Sequence, residues 1–523
     1  MAAPNAAADI FQIHTITRIS FGALSGLLLV FAYPKFHFYV AGWFSVALLM
    51  AAAAGARPRV AALAGYVQGI VFYVGTLTWL DTVFQLHGGV GPVMAAVALG
   101  LIVAVASLFR LFFAWAFARL ARRSVALACL AAPFLWVLIE FGIDQLPAIG
   151  FPWNLLGYTA ANSLAIAQLA PIAGIWGLSF LVVAFNALLF WGIAELRARR
   201  SLPMDLACGI AIILGLIAWL GPRAVPQAHP DHQANLVQTN FPEPDYFPAD
   251  WLDQHAAEMD ELGQLSLTAP SGNLQAGPTI WPEVPAPFSM QDPKFAARAL
   301  LLSRQIPDGF LVGVIDWKAR PGVSWRVYNS AALLVPPGRE AFLYDKIHLV
   351  PFAEHVPFGK LFTFVRSITI EVGNFESGND YKAGTLPDGN RFGVFICYES
   401  IFPSEVRKFV ASGAQFLVNI SNDGWFGRSA APEQHFAMAR VRAIENRRWL
   451  LRCTNNGYTA SIDPYGRIVA QLPTDVRDHL LAPYAARSDL TLYARFGDWL
   501  PWLCVMVSAG FLIANFRRTR AKI

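Results

Sequence analysis

The chain has 523 residues, 55% of them hydrophobic and only 14% charged. Average soluble domains carry about 25% charged residues, so this composition excludes an ordinary water-soluble enzyme. The net charge of +5 does not mark a nucleic-acid binder, because the basic residues sit at the ends of apolar blocks and no stacking platform accompanies them.

Taken in chain order, the apolar blocks run over residues 19–33, 38–54, 60–84, 91–118, 125–143, 164–193, 204–220 and 499–516. A spanning helix needs about 20 apolar residues, with a range of roughly 17–25, and soluble helices seldom lack a polar face. The series predicts about eight transmembrane helices, the first short enough to be a re-entrant segment instead. The N-terminus has no basic n-region and no clear small-residue cleavage site, so the first helix is expected to be retained.

The connections carry a charge asymmetry. ARPRV (56–60), RLARR (119–123), ELRARR (195–200) and RRTRAK (517–522) are basic, whereas residues 81–89 and 140–158 contain no Lys or Arg. Lys and Arg near span ends stay cytoplasmic. Seven spans before residue 221 and one after residue 498 put all four basic connections on one side. The expected organisation is therefore a membrane domain at 1–221, an extracytoplasmic domain at 222–498, and a last span with a basic cytoplasmic tail at 499–523. Arg110, late in the fourth block, reads as a side chain snorkelling to the cytoplasmic interface. Phe151, Trp153 and Tyr158 of the outer loop GFPWNLLGY suit the headgroup level.

Between the seventh and eighth blocks the pattern changes. Short apolar runs at 234–240, 278–283, 310–316, 329–336, 341–349, 392–398, 415–421 and 449–455 read as strands, bounded by polar, Gly or Pro residues. Helical spacing appears at 251–267, 403–412 and 432–448. Pro403 opens and Gly413 closes the second of these, the usual asymmetry of helix ends. Strands alternating with helices predict a layered α/β domain.

Three strand ends carry chemistry. Glu283 ends TIWPE, Lys346 ends FLYDK, and Cys397 ends VFIC. In a layered α/β domain such ends converge on one rim of the sheet. A free thiol is only a few per cent thiolate at neutral pH and needs a base. A carboxylate supplies one; an ammonium lowers the thiol pKa and stabilises an oxyanion. The backbone N–H of Tyr398 is a second oxyanion donor. Each residue also has a blander reading: a small core thiol, an edge pair with Asp345, and a loop carboxylate. Separation along the chain does not decide between them.

Of five cysteines, Cys129, Cys208 and Cys504 fall in predicted spans. A disulfide between Cys397 and Cys453 is the simple alternative to a reactive thiol; placing each within its own strand core opposes it. No Cys/His spacing resembles a zinc site, so neither metal nor cofactor is expected.

WPE at Glu283, YDKIHLVPFAEHVP at Lys346 and Glu354, and ICYES at Cys397 closely resemble the nitrilase, or carbon–nitrogen hydrolase, superfamily. SNDGWFG (421–427) and ARVRAIENRRWLLRCTNNGYTASIDPYGR (439–467) extend the match. With the apolar spans and GFPWNLLGY, nearly the whole chain is similar to the apolipoprotein N-acyltransferase family. The resemblance implies a multi-span α-helical membrane domain carrying a nitrilase-like α-β-β-α sandwich. It further implies that an acyl chain passes from a membrane phospholipid, through a cysteine thioester, to the α-amino group of a diacylglyceryl-modified apolipoprotein in the bacterial inner membrane. Carried over by motif, Cys397 is the nucleophile, Glu283 the general base and Lys346 the oxyanion stabiliser, with Glu354, Tyr398 and Glu399 in support. Trp251, downstream of LVQTNFP across the longer stretch PEPDYFPAD, matches a functional Trp of the family. A small-amide hydrolase tethered to the membrane is the alternative, against which the number of spans argues.

Lipid substrates bring a further expectation. Exposing an acyl chain costs about 0.8 kcal/mol per CH₂, so the site should open toward the bilayer. Residues 357–373, with Phe358, Leu361, Phe362, Phe364 and Val365, read as an arm dipping into the interface and contacting substrate; an ordinary core helix is the other reading.

Overall fold

A computed structural model describes residues 13–147, 149–199, 215, 221, 223, 225–243, 247–270, 272–320, 323–351, 353–355 and 375–520. The chain divides into two units. One comprises residues 1–81, 93–225 and 498–523, the other residues 82–92 and 226–497.

The first unit is helical. Among its described residues, five helices are long and apolar enough to cross a membrane: Pro58–Leu77, Pro92–Ala121, Val125–Asp144, Ala170–Ala198 and Trp499–Arg517. Thr15–Phe31 and Tyr39–Ala53 are shorter apolar helices. Small residues set the packing, as expected where lipid gives no hydrophobic drive between helices. A Cβ on Gly22 would stand 2.3 Å from the Ala64 carbonyl oxygen, and one on Gly65 would stand 2.5 Å from that of Arg110. The expected seventh span, 204–220, lies outside the described residues except for residue 215.

Two expected spans are divided. The block at 60–84 is helical to Leu77, and a separate helix Trp79–Leu86 follows. Asp81, Gln85 and His87 interrupt its apolar run, and residues 82–92 group with the second unit. The block at 164–193 contains a single turn, Leu164–Ala167, before Ala170–Arg199. That helix is broken near its start, where Gly174 takes φ 66°, a conformation open to a residue without Cβ.

Arg110 corrects the sequence reading. It does not snorkel but is 2% exposed, with its guanidinium 4.0 Å from the Trp136 ring centroid and 5.6 Å from that of Phe72. Aromatic faces attract a cation that has left water. One turn along from Trp136, Glu140 accepts from Trp136 Nε1 at 2.9 Å and from Leu156 N at 2.8 Å. The loop GFPWNLLGY is thereby fastened into the bundle, and Tyr33 Oη donates to the Asn154 and Leu155 carbonyls at 2.9 Å each. Trp153 and Tyr158 are consequently buried.

Among the described residues the second unit has twelve strands. They are β1 His232–Gln238, β2 Gln275–Ile280, β3 Phe310–Arg320, β4 Val323–Val335, β5 Arg339–Asp345, β6 Gly384–Thr385, β7 Arg391–Ile396, β8 Phe416–Ser421, β9 Leu450–Thr454, β10 Ala460–Ile462, β11 Ile468–Gln471 and β12 Asp478–Tyr484. One six-stranded sheet has the order β12-β1-β2-β3-β4-β5, the other β11-β10-β9-β8-β7-β6. Within them, β1-β2-β3 and β7-β8-β9 are parallel runs; β1, β8 and β9 are buried along their whole length, as strands covered on both faces are.

Leu236, Ile280, Leu311 and Leu333 of the first sheet share an apolar cluster with Val394, Ile396, Val418, Ile420 and Leu451 of the second. Cys453 Sγ, on β9, lies 3.3 Å from both the Val237 and the Ile280 carbonyl oxygens of the other sheet. Cys397 and Cys453 are free thiols. A second cluster lies between the first sheet and the helices Ala256–Ser266 and Pro293–Gln305.

Four strands and two helices, Pro293–Gln305 and Leu492–Phe496, escaped the sequence reading. β6 and β10 are very short, and β11 is largely exposed at the edge of its sheet. The helix Pro293–Gln305 did carry a start signal: Pro293 follows the N-cap Asp292, whose carboxylate accepts from Lys294 N and Phe295 N. The single helix expected at 251–267 is two, Trp251–Gln254 and Ala256–Ser266, with His255 between them.

Candidate active site

Glu283 lies three residues beyond β2, Lys346 one beyond β5, and Cys397 one beyond β7. The structure brings Glu283, Lys346 and Glu354 into one buried cluster. Lys346 Nζ, in a side chain 1% exposed, sits 3.1 Å from Glu283 Oε1 and 2.9 Å from Glu354 Oε1. Asn329, on β4, donates through Nδ2 to the same two oxygens at 2.8 and 2.9 Å. Asn422 N donates to Glu283 Oε2 at 2.9 Å, and Val350 N to Glu354 Oε2 at 2.8 Å. Every oxygen of both carboxylates thus has a donor, which buried ionised groups require. Burial draws the Lys346 ammonium downward, but Glu283 and Glu354 outweigh it and hold its pKa well above the usual lysine value.

Backbone proximity makes this arrangement possible. A Cβ on Gly313, in β3, would stand 2.4 Å from the Pro282 carbonyl oxygen and 2.8 Å from Glu283 Cα. Glycine alone lets β3 run against the segment carrying Glu283.

Cys397 ends its strand in the left-handed region, φ 48°, and opens the short turn Cys397–Ile401. Glu399 holds that turn. Its Oε2 accepts from Ile396 N at 2.7 Å. Its Oε1 accepts from Tyr344 Oη at 2.7 Å, Ile347 N at 2.7 Å and His348 N at 3.1 Å. One buried carboxylate therefore ties the end of β5, with Lys346, to the end of β7, with Cys397. Burial pushes this carboxyl up to about 7 against the pull of its donors.

The thiol is 8% exposed and interacts electrostatically with both Glu283 and Lys346. Burial raises its pKa first, Glu283 raises it further, and Lys346 and a hydrogen bond to Ser421 oppose them; the result lies well above an ordinary thiol. The expected lowering by the ammonium is present and is outweighed. The resting group is a neutral thiol, so its proton must be removed as it reacts.

Behind the thiol lies a network that sequence reasoning missed. His435, fully buried in the helix Ala431–Asn446, has Nε2 3.0 Å from the Cys397 carbonyl oxygen and 2.6 Å from Ser400 Oγ. Its Nδ1 lies 3.1 Å from Arg452 Nη2. The same Nδ1 lies 3.3 Å from Asp423 Oδ1, and on the other side of the ring the Cys397 carbonyl can only accept, so Nε2 is the donor to it. Burial and then Arg452 lower the His435 pKa against the opposing pull of Asp423. Arg452 Nη2 also donates to both Asp423 oxygens at 2.9 Å, and Ser421 Oγ donates to Asp423 Oδ1 at 2.8 Å. Burial raises the Asp423 carboxyl, but Arg452 outweighs it and holds the group well below the carboxylate range. SNDGWFG held Ser421 and Asp423, the 439–467 stretch held Arg452, and His435 fell in the helix expected at 432–448; their pairing was invisible because the partners are scattered along the chain.

Tyr398 is buried beside the site, its ring 5.7 Å from His348 and 5.2 Å from Phe402. Trp251 is not brought into the charged cluster. It is 4% exposed, stacks on His255 at 4.1 Å and packs edgewise on Phe241 at 4.9 Å, as a core side chain does. Phe358 and Phe362, with the rest of 357–373, lie outside the described residues. No His/Cys/Asp/Glu group suited to a metal occurs among the described residues.

The two-sheet α/β domain is nitrilase-like: residues 303–488 match the carbon–nitrogen hydrolase family model. Residues 25–188 match the apolipoprotein N-acyltransferase N-terminal domain. An apolipoprotein N-acyltransferase of Geobacter metallireducens is 33% identical, over 95% of this chain and 94% of its own. Those of Methylococcus capsulatus and Pseudomonas syringae pv. tomato are 32% and 31% identical, each over at least 94% of both chains. The solved nitrilase-superfamily protein Nit3 of Saccharomyces cerevisiae is 19% identical, covering 50% of this chain and 92% of its own, with a TM-score of 0.35. The chain belongs to the apolipoprotein N-acyltransferase family.

Proposed function

We propose that the protein moves an acyl chain from a membrane phospholipid to the N-terminal α-amino group of a diacylglyceryl-modified cysteine on an apolipoprotein, through a thioester on Cys397. The observation that carries this reading is the buried Lys346 ammonium held between Glu283 and Glu354, with the Cys397 thiol within its field.

In the first half-reaction Glu283 takes the thiol proton as sulfur attacks the donor ester carbonyl. Lys346 and the backbone N–H of Tyr398 stabilise the oxyanion; preorganised donors of this kind are worth about 10²–10³ in rate. The leaving alkoxide takes the proton from Glu283, giving a lysophospholipid and the thioester. In the second, the amine attacks the thioester, Glu283 collects a proton from nitrogen and returns it to the departing sulfur. Glu354 fixes Lys346, and Glu399 fixes the Cys397 turn relative to it. A dry, acyl-filled pocket protects the thioester from water, and the 357–373 segment, with Phe358 and Phe362, supplies a lipid-facing wall.

The same reading places eight spans in the bacterial inner membrane, with the two sheets packed as an α-β-β-α sandwich on the extracytoplasmic side. The basic connections at 56–60, 119–123, 195–200 and 517–522 support that side. Membranes containing the protein, given phospholipid with a radiolabelled acyl chain, should acquire a hydroxylamine-labile label on Cys397 that moves to a diacylglyceryl-cysteinyl peptide. Release of labelled fatty acid with no acylated peptide would overturn the reading in favour of a hydrolase.

A further inference from the structure

The attacking amine has a difficulty that Glu283 does not resolve. An α-amino group titrates at about 7.7–8.0, so near neutral pH most acceptor arrives as ammonium. Glu283 removes a proton during attack, but another must leave beforehand.

A second carboxylate stands beside the first. Glu243 follows β1 and is half-buried. Its Oε1 accepts from Asn422 Nδ2 at 2.5 Å and from Asn455 Nδ2 at 3.2 Å. Asn422 is also the residue whose backbone N–H holds Glu283 Oε2, so one asparagine carries both carboxylates. Asn455 is itself anchored, donating to the Phe241 carbonyl at 2.8 Å and to Asn422 Oδ1 at 3.1 Å. Gly424 makes room for Glu243: a Cβ there would lie 2.9 Å from Glu243 Cγ. Only Oε1 is engaged. Glu243 Oε2 has no hydrogen-bond partner among the described residues, yet it is not among the buried polar atoms left unpaired. It is an open acceptor next to the base.

We infer that Glu243 is a further catalytic residue: its free oxygen receives the proton that the acceptor ammonium sheds before attacking the thioester. This rests on the acyl-transfer reading. The step balances. The ammonium loses one proton to Glu243, and the neutral amine forms the C–N bond. The C–S bond breaks, Glu283 carries the second nitrogen proton to sulfur, and Glu243 releases its proton to water before the next turnover. The surroundings suit the task. Burial raises the Glu243 carboxyl, the neighbouring Glu283 raises it further, and the two asparagines oppose them, leaving it at about 7. Glu283 is the charged neighbour acting on it. A base titrating close to its proton donor gives and takes readily. The sign follows: above about 7 Glu243 is ionised and accepts; below, it is protonated and cannot.

The test separates the half-reactions in full-length protein reconstituted in phospholipid vesicles. Thioester is loaded from radiolabelled phospholipid, then chased with a diacylglyceryl-cysteinyl peptide between pH 6.5 and 9. Glu243→Gln keeps an oxygen for both asparagines but accepts no proton. Transfer to the peptide should fall about tenfold near pH 7 and come within about twofold of the unsubstituted protein at pH 9, where the amine is already neutral. Glu243→Asp should retain part of the neutral-pH rate. Transfer unchanged at every pH overturns the inference, as does an equal, pH-independent loss from loading and transfer. If the unsubstituted protein forms no thioester, the acyl-transfer reading falls with it; normal loading with a pH-independent defect removes only the role of Glu243.

Discussion

Both units bury a cation beside a glutamate, and they treat it differently. In the catalytic unit Lys346 has two carboxylates within 3.1 Å, and an asparagine donates to the same oxygens. In the helical unit Arg110 rests on the face of Trp136, and its Nε and Nη1 have no hydrogen-bond acceptor among the described residues. The first is a charge held in a fixed, fully answered field, the condition for stabilising charge that appears during a reaction. The second is a charge held by ring faces, which tolerate displacement and organise packing. Burial of a charge alone does not mark a reactive centre; how completely its partners are fixed does.

The contrast breaks most readily at Lys346. Lys346→Met should lower thioester formation about 10³-fold and, by leaving Glu283 and Glu354 facing each other in burial, destabilise the catalytic unit by about 3–5 kcal/mol. Acylation assays and thermal unfolding in detergent read the two effects; near-normal acylation would dissolve the distinction. Glu399→Ala should follow, with a loss of about 10²-fold, because Lys346 and Cys397 lose their common anchor and a displacement of about 1 Å is that costly. His435→Ala should slow thioester formation about tenfold by freeing the Cys397 carbonyl, and His435→Gln, whose amide can still donate, should recover most of it. A quieter check is alkylation. With its pKa raised, Cys397 should react with iodoacetamide at pH 7.5 about tenfold more slowly than an exposed cysteine and accelerate as pH rises. The smallest effect belongs to Arg110→Met, which should cost about 1–2 kcal/mol and leave acyl transfer within about threefold. A loss matching that at Lys346 would mean the two buried cations do comparable jobs.

Much of the catalytic unit was legible in the chain itself. Glu283, Lys346 and Cys397 stand out as candidates because strand ends are where a layered domain collects functional groups, and a polar residue closing an apolar run is easy to see. The fixing partners were not. Asn329, Asn422 and His435 hydrogen-bond to positions remote in sequence, and nothing in their neighbourhood distinguishes them from structural polar residues. In the helical unit the apolar runs located the helices, but runs apolar on every side carry no facing information. The inward turn of Arg110 and the fastening of GFPWNLLGY by Glu140 were therefore hidden. The break after Leu77 was written in Asp81, Gln85 and His87, yet a window average over apolar neighbours smooths such residues away. In the structure the His87 ring lies 4.3 Å from that of Trp425, within SNDGWFG.

The hydrogen at Gly313 sets a clearance limit on the whole centre. Even a methyl group would have to push the 282–283 backbone outward, carrying with it the oxygen that meets Lys346. Because β3 is hydrogen-bonded along its length to β4, it has little freedom to yield in return. Gly313→Ala should therefore behave as a misaligned enzyme rather than an unfolded one: soluble in detergent, cooperative on heating, and slow. The tolerance of this chemistry is set by the thickness of one strand lying under it.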